Sequence, residues 1–142
     1  MKKFFAVLIV IVLVVVTIIV YKYNDYKTQV LRTEQLNKEY ENFTNGEILG
    51  TSLITLINKA VDSNTKNNIT QDEKGLYIEN DTTSIRIDVK FIESDDIYQM
   101  EKIAKLGSEQ FIKNYAAMSF KCTNKQYHEK TNNIKYLLFE QI

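Results

Sequence analysis

Apolar and polar positions divide this chain sharply into a uniformly apolar front and a mixed remainder. Phe4 to Val20 reads FFAVLIVIVLVVVTIIV, with Thr17 as its single polar side chain and no charge, Gly or Pro. Such a run predicts one helix of roughly 26 Å, the short end of what a bilayer core of about 30 Å requires, and Tyr21 and Tyr23 can extend it into the headgroup layer. The Thr17 hydroxyl is expected to bond the carbonyl one turn back. From Tyr21 to Phe43 no helix breaker occurs, and Tyr23, Tyr26, Val30, Thr33, Leu36, Tyr40 and Phe43 recur at steps of three or four. The helix is therefore predicted to continue as a stalk. Its stripe lies either on the domain's own sheet or against a second copy, and Thr33 with the tyrosines makes a poor zipper, which favours the sheet.

Beyond the stalk the period changes. Thr44 and Glu47 have the spacing of a capping box and predict a core helix whose apolar face is Ile48, Leu49, Leu53, Leu56, Ile57, Ala60 and Val61, ending over 64–68. The turn signal Asp72 to Gly75 precedes a short strand, Leu76 to Ile78. A second strand over 84–91 follows, where Ile85, Ile87, Val89 and Phe91 alternate with Arg86, Asp88 and Lys90. Asn80 to Thr83 reads as a hairpin joining these two as antiparallel neighbours. Asp95 and Asp96 are expected to cap a helix from Ile97 to Leu106, Gly107 to close it, and a second short helix to run from Ser108 to about Ala116. Met118 to His128 and Ile134 to Glu140 complete a second hairpin around a turn at 129–133. The predicted fold class is α+β, with one core helix, a four-stranded antiparallel sheet and two short helices between the hairpins. The expected organisation is a transmembrane signal anchor at 1–22, a helical stalk at 23–45 and a soluble α+β domain at 46–142.

Composition narrows the function classes. From Tyr21 to Ile142, 16 Lys and Arg stand against 18 Asp and Glu, and so nearly neutral a domain argues against nucleic acid as a partner. The single cysteine, Cys122, excludes an internal disulfide framework and a thiolate zinc cluster, and is expected as a small hydrophobe in a strand. Met1-Lys2-Lys3 before an apolar run also fits a removable signal. However, Tyr21-Lys-Tyr-Asn24 offers no pair of small residues for cleavage and no lipidated Cys follows, so an uncleaved anchor is expected. Lys2 and Lys3 face Lys22, Lys27, Arg32 and Lys38, which leaves orientation open by charge alone. The basic leader favours the domain on the extracytoplasmic side of the cell membrane. Abundant Asn, Lys and Ile without Pro or Trp suggest an AT-rich bacterial genome, in which the sequons at Asn42, Asn68 and Asn80 would be chance matches.

Each candidate for chemistry has a plainer explanation. Asp62 to Glu73 loosely follows a calcium loop, but Lys66 stands where an oxygen ligand belongs. Glu93, Asp95 and Asp96 form an acidic cluster able to hold a cation or perform acid and base work, yet carboxylates at a helix start are accounted for by capping. His128 is expected at the surface. With Cys122 six residues away on a strand, it provides neither nucleophile with base nor metal set. Gly46, Gly50, Gly75 and Gly107 are too scattered for a phosphate loop. From Gln110 to Phe139 five Lys face one Glu, which indicates either sheet neighbours of complementary charge or a basic face toward anionic envelope polymers. No catalytic, metal or cofactor-binding residue is assigned, and an enzyme is not expected; a hydrolase using Asp95 or Asp96 is the least favoured alternative.

The segments Gly50 to Ala60, Lys74 to Asn80, and Tyr127 to Lys130 with Phe139-Glu140 resemble those of small uncharacterised single-pass membrane proteins from AT-rich Gram-positive bacteria. This resemblance implies the same anchor-plus-domain layout and no transferable activity. The long helix, apolar in its first half, followed by an antiparallel sheet also resembles type IV pilins and pseudopilins. That family's processing Gly and the Glu five residues beyond it are both missing from Met1 to Leu8. The expected function is thus a membrane-tethered envelope binding or structural module, whose partners are its membrane and an envelope protein or wall polymer. The alternative is a pilin-like subunit of a surface filament or secretion system.

Overall fold

The computed structural model describes residues 2–94 and 96–142. Helix α1 runs Lys2–Glu41, its Phe4 to Val20 stretch exposed throughout and long and apolar enough to cross a membrane. Thr17 Oγ1 donates to the Leu13 carbonyl at 2.7 Å, as expected. The chain separates into two units, residues up to Gln35 and Leu36–Ile142, so the last turns of α1 belong to the folded domain. Within the predicted stripe Tyr23, Tyr26 and Leu36 are exposed and Tyr40 is buried, and Asn37, which the stripe did not include, is buried beside it.

The remaining elements are β1 (Glu47–Leu49), α2 (Gly50–Lys66), β2 (Arg86–Lys90), β3 (Ile97–Gln99), α3 (Met100–Leu106), α4 (Ser108–Tyr115), β4 (Ser119–Tyr127) and β5 (Ile134–Gln141). The class is α+β, with one five-stranded sheet in the order β1-β4-β5-β2-β3. This is a mixed sheet rather than the expected four-stranded antiparallel one, because β2 and β5 pair in parallel. Alternation sends Ile87, Val89, Phe120, Leu137 and Phe139 to one face, where they form the core with Leu53, Leu56, Ile57 and Ala60 of α2 and Met100 and Ile103 of α3. A ring cluster closes one end of this core. Phe91 meets Tyr98 edge-on at 5.2 Å and Tyr115 at 4.5 Å, and Phe111 packs on Tyr115 at 5.1 Å.

Three expectations change for identifiable reasons. Thr44 does not begin a helix; its Oγ1 donates to the Glu41 carbonyl and closes α1. Glu47 to Leu49 then pair with β4, and α2 starts at Gly50, whose Cα lies so close to the Tyr115 carbonyl that an added Cβ would sit 1.9 Å from it. The Leu76 to Ile78 strand and its hairpin to β2 do not form, because their backbone groups are engaged locally. Asn80 Oδ1 accepts from the N–H groups of Thr82, Thr83 and Ser84, and Glu101 Oε1 accepts from Tyr77 N. Tyr77 makes only an isolated bridge to Gln71. Finally, Ile97 to Gln99 pair with β2 as an edge strand instead of opening a helix, so Asp96 is not a helix cap; Asp95 lies outside the described residues.

The other sheet face carries polar side chains in register. Glu47, Lys121, Glu140 and Lys90 stand side by side across β1, β4, β5 and β2 with alternating charge. This row, and the pairing of Lys125 with Glu41, Lys130 with Asp81 and Lys135 with Glu79, distributes the lysine excess of the C-terminal strands among acidic neighbours. Opposite charges on adjacent strands support pairing modestly and leave no extended basic field there.

Candidate functional site

Two buried asparagines organise the region where α1, α2 and the strand starts meet. Asn37 on α1 donates from Nδ2 to the Asn132 carbonyl at 2.7 Å and accepts from Ile134 N at 2.8 Å. Asn64 on α2 does the same for one residue of the neighbouring strand lead-in, donating to Ile85 O at 2.7 Å and accepting from Ile85 N at 2.9 Å. A primary amide has the donor and acceptor arrangement of a peptide group, so each helix supplies a strand entrance with the partner that a sheet neighbour would otherwise provide.

Between these anchor points lies a small cleft with an open volume of about 60 Å³. Leu36, Ile85 and Ile134 form its apolar wall, and Tyr40, Ser63, Asn67, Thr83 and Asn133 its polar one, with no charged side chain in the lining. Tyr40 is 5% exposed, its hydroxyl is shut off from solvent, and the Ser63 hydroxyl is its polar neighbour. Burial pushes this phenol up to about 12, while the interaction with Ser63 draws it the other way. Asn133 donates from Nδ2 to the Thr82 carbonyl at 2.9 Å, which fixes its amide, while its buried Oδ1 is left without a donor. The loop behind it is held by the Asn80 turn and by Thr131 Oγ1, which also reaches Thr82 O.

A second polar group lies on the open face of the sheet. Asp88, 3% exposed, accepts from Arg86 Nε at 3.0 and 3.2 Å, pairs with Arg86 Nη2 at 3.0 Å and accepts from the Tyr136 hydroxyl at 3.2 Å. Asp88 holds the guanidinium more firmly protonated, and burial followed by the Asp88 charge raises the Tyr136 phenol. Both carboxylate oxygens of Asp88 thus accept from donors within the fold, as a buried carboxylate requires.

The residues singled out by sequence are scattered. Glu93 and Asp96 are exposed in the connection between β2 and β3 and do not converge with another candidate. Asp62 is paired with Lys66 inside α2, and Asn64 turns into the core, so the first five positions of the calcium-like pattern belong to a helix rather than a loop. His128 is buried at 3% exposure, contrary to the surface position expected. Its Nε2 lies 2.7 Å from the Ser84 carbonyl, which can only accept, so that nitrogen carries the proton and the ring ties the β4–β5 turn to the lead-in of β2. Cys122 is half-buried on β4, and burial raises its thiol. Among the described residues, no three His, Cys, Asp or Glu side chains come together as a metal site. The cleft was missed because its members are ordinary Asn, Ser, Thr and Tyr residues distant in sequence, and the helical stripe drawn through Thr33, Leu36 and Tyr40 passed over Asn37.

Compared with protein-family models, curated proteins and solved structures, the chain matches none.

Proposed function

We propose that this chain is a membrane-tethered binding or structural module of the cell envelope, with its folded domain on the extracytoplasmic side. The observation that carries the reading is the pairing of a fully exposed apolar helical run, Phe4 to Val20, with a separately packed α+β unit. Water does not tolerate such a run, whereas a bilayer core stabilises it. Thiol labelling tests both halves of the proposal. Lys66→Cys and Glu129→Cys, at exposed positions in a Cys122→Ser background, are treated in intact cells with a membrane-impermeant reagent. Retention in the membrane fraction after alkaline extraction, with labelling before lysis, is the expected result. Release by extraction overturns the anchor, and labelling only after lysis overturns the orientation.

One observation favours a second reading, a pilin-like subunit. The helix that begins with the apolar run is the same one whose Tyr40 joins the buried core and whose Asn37 bonds the entrance of β5. Under that reading the chain also appears in sheared surface material as a polymer, which a tethered module does not.

A further inference from the structure

We infer that the open face of the sheet is the interface for a second copy of this chain, stacked upon it about a two-fold axis parallel to the strands. The strand register fixes what that face presents. Across β1, β4, β5 and β2 it carries the row Glu47, Lys121, Glu140 and Lys90. Among the described residues none of the four is ion-paired within the chain, and Glu140 accepts only a hydroxyl, that of Thr123 at 3.2 Å. One step nearer the sheet's end the face turns apolar. Leu49 pairs with Ser119, Ile142 N donates to Ser119 O, and Ile92 lies just past β2. Leu49, Ile142 and Ile92 are 50, 52 and 67% exposed, an apolar margin that nothing in the single chain covers.

The sequence of signs, minus, plus, minus, plus, selects the symmetry. An axis along the strands, between β4 and β5, reverses the strand order of the second copy while keeping strand direction. Lys90 then lies over Glu47 of the second copy and Lys121 over its Glu140, so each charge in the row meets its opposite and the apolar margins meet each other. Turning the copy end over end instead sets every Glu over a Glu and every Lys over a Lys, which an interface disfavours. The α1 junction gives the same answer independently. Asn37 bonds the entrance of β5, at the opposite end of that strand from Glu140 and Ile142. The axis along the strands keeps both junctions at one end of the pair, as two anchors in one membrane require, whereas the end-over-end stack sends them to opposite ends.

With strands about 4.8 Å apart and a rise of about 3.3 Å per residue, the face offers at most roughly 500 Å² per copy. A stable interface buries about 800 Å² per partner, so this pair is weak in free solution. Confinement of both copies to one membrane supplies the effective concentration that favours it. The inference uses the anchor proposed above and holds whichever side of the membrane the domain occupies.

The test uses the full chain reconstituted in lipid vesicles, with Ser119→Cys in a Cys122→Ser background and a short bis-maleimide as cross-linker. Flotation with the vesicles is read first and reports on the anchor by itself. In the stacked pair the two positions 119 lie roughly 11 Å apart, from sheets about 10 Å apart and strands about 4.8 Å apart. Lys102→Cys, exposed on α3 beyond the core face, reports chance collisions. The expected result is cross-linking at position 119 well above that at 102. Lys90→Glu with Lys121→Glu makes the row wholly acidic, and Glu47→Lys with Glu140→Lys makes it wholly basic. Each double variant alone is expected to cross-link about tenfold less, since like charges now face each other, and an equal mixture of the two is expected to recover the yield. Near-ultraviolet circular dichroism shows that each variant is folded. Cross-linking at 119 no greater than at 102 overturns the inference without recourse to the charge variants. Undiminished cross-linking of either folded double variant, or no recovery on mixing them, overturns it as well and assigns any pairing to the anchors.

Discussion

Replacing Asn64 by alanine removes both partners of Ile85 while leaving the surrounding apolar packing in place. Asn64 is fully buried, and its two bonds, 2.7 and 2.9 Å, meet the Ile85 carbonyl and amide at the entrance to β2. Each buried group left unpaired costs about 1–3 kcal/mol, so the substitution is expected to destabilise the domain by about 2–5 kcal/mol. For a domain of about this length that corresponds to a fall in Tm of about 10–20 °C. The full chain in micelles is melted and followed by near-ultraviolet circular dichroism. The tyrosines of the core report through that signal, whereas α1 would retain far-ultraviolet helicity after the domain had unfolded. Asn64→Asp keeps the acceptor for Ile85 N but sets a carboxylate against the Ile85 carbonyl, and is expected to cost at least as much. A loss below about 1 kcal/mol for Asn64→Ala would refute the view that this side chain serves as the missing sheet neighbour.

Further outcomes follow from the same structure. Gly50→Ala places a Cβ 1.9 Å from the Tyr115 carbonyl, a backbone atom that cannot swing aside, and is expected to lower Tm more than Gly46→Ala, which meets nothing within 4 Å; parallel melts decide this. Tyr40 titrates near 12 in the fold against an ordinary value near 10, so its stabilising protonated state is complete below pH 10 and is lost as pH rises toward 12. The loss is on the order of 2–3 kcal/mol, and Tyr40→Phe is expected to show a flatter alkaline stability profile by urea unfolding. Arg86→Ala leaves the Asp88 carboxylate with Tyr136 as its remaining side-chain donor, and because Arg86 is itself half exposed the expected cost is about 1–3 kcal/mol, more than for Asp88→Asn, in urea melts at neutral pH. The Cys122 thiol, raised by burial, is expected to alkylate more slowly at mildly alkaline pH than a thiol in the unfolded chain, and equal rates would contradict its position.

Legibility of the fold followed the strength of local patterning. The apolar run of α1, the amphipathic α2 and the last hairpin were readable because burial alone fixes their periods. Leu53, Leu56, Ile57 and Ala60 face the core, and β4 and β5 lie within a residue or two of their expected bounds. What failed was the assignment of backbone partners. Whether Leu76 to Ile78 forms a strand depends on whether its N–H and carbonyl groups find a sheet, and the Asn80 turn, Thr70 and Glu101 took them first. The Ile97 to Gln99 segment carries an alternation too short to outweigh two aspartates that also resemble helix caps. Its true position rests on a long-range pairing with β2, which no local window contains.

The cleft exposes a related blind spot. Asn, Ser and Thr in a chain rich in asparagine read as solvated positions, and burial of Asn37, Asn64 and His128 reverses that reading one residue at a time. A buried polar side chain on a helix is costly unless something in the fold meets it, and Asn37, which the stripe drawn through Leu36 passed over, requires such a partner. The partner proved to be the backbone of β5's entrance. The same substitution of helix amides for sheet neighbours explains how β2 and β5 can start side by side in parallel without a long strand beyond them.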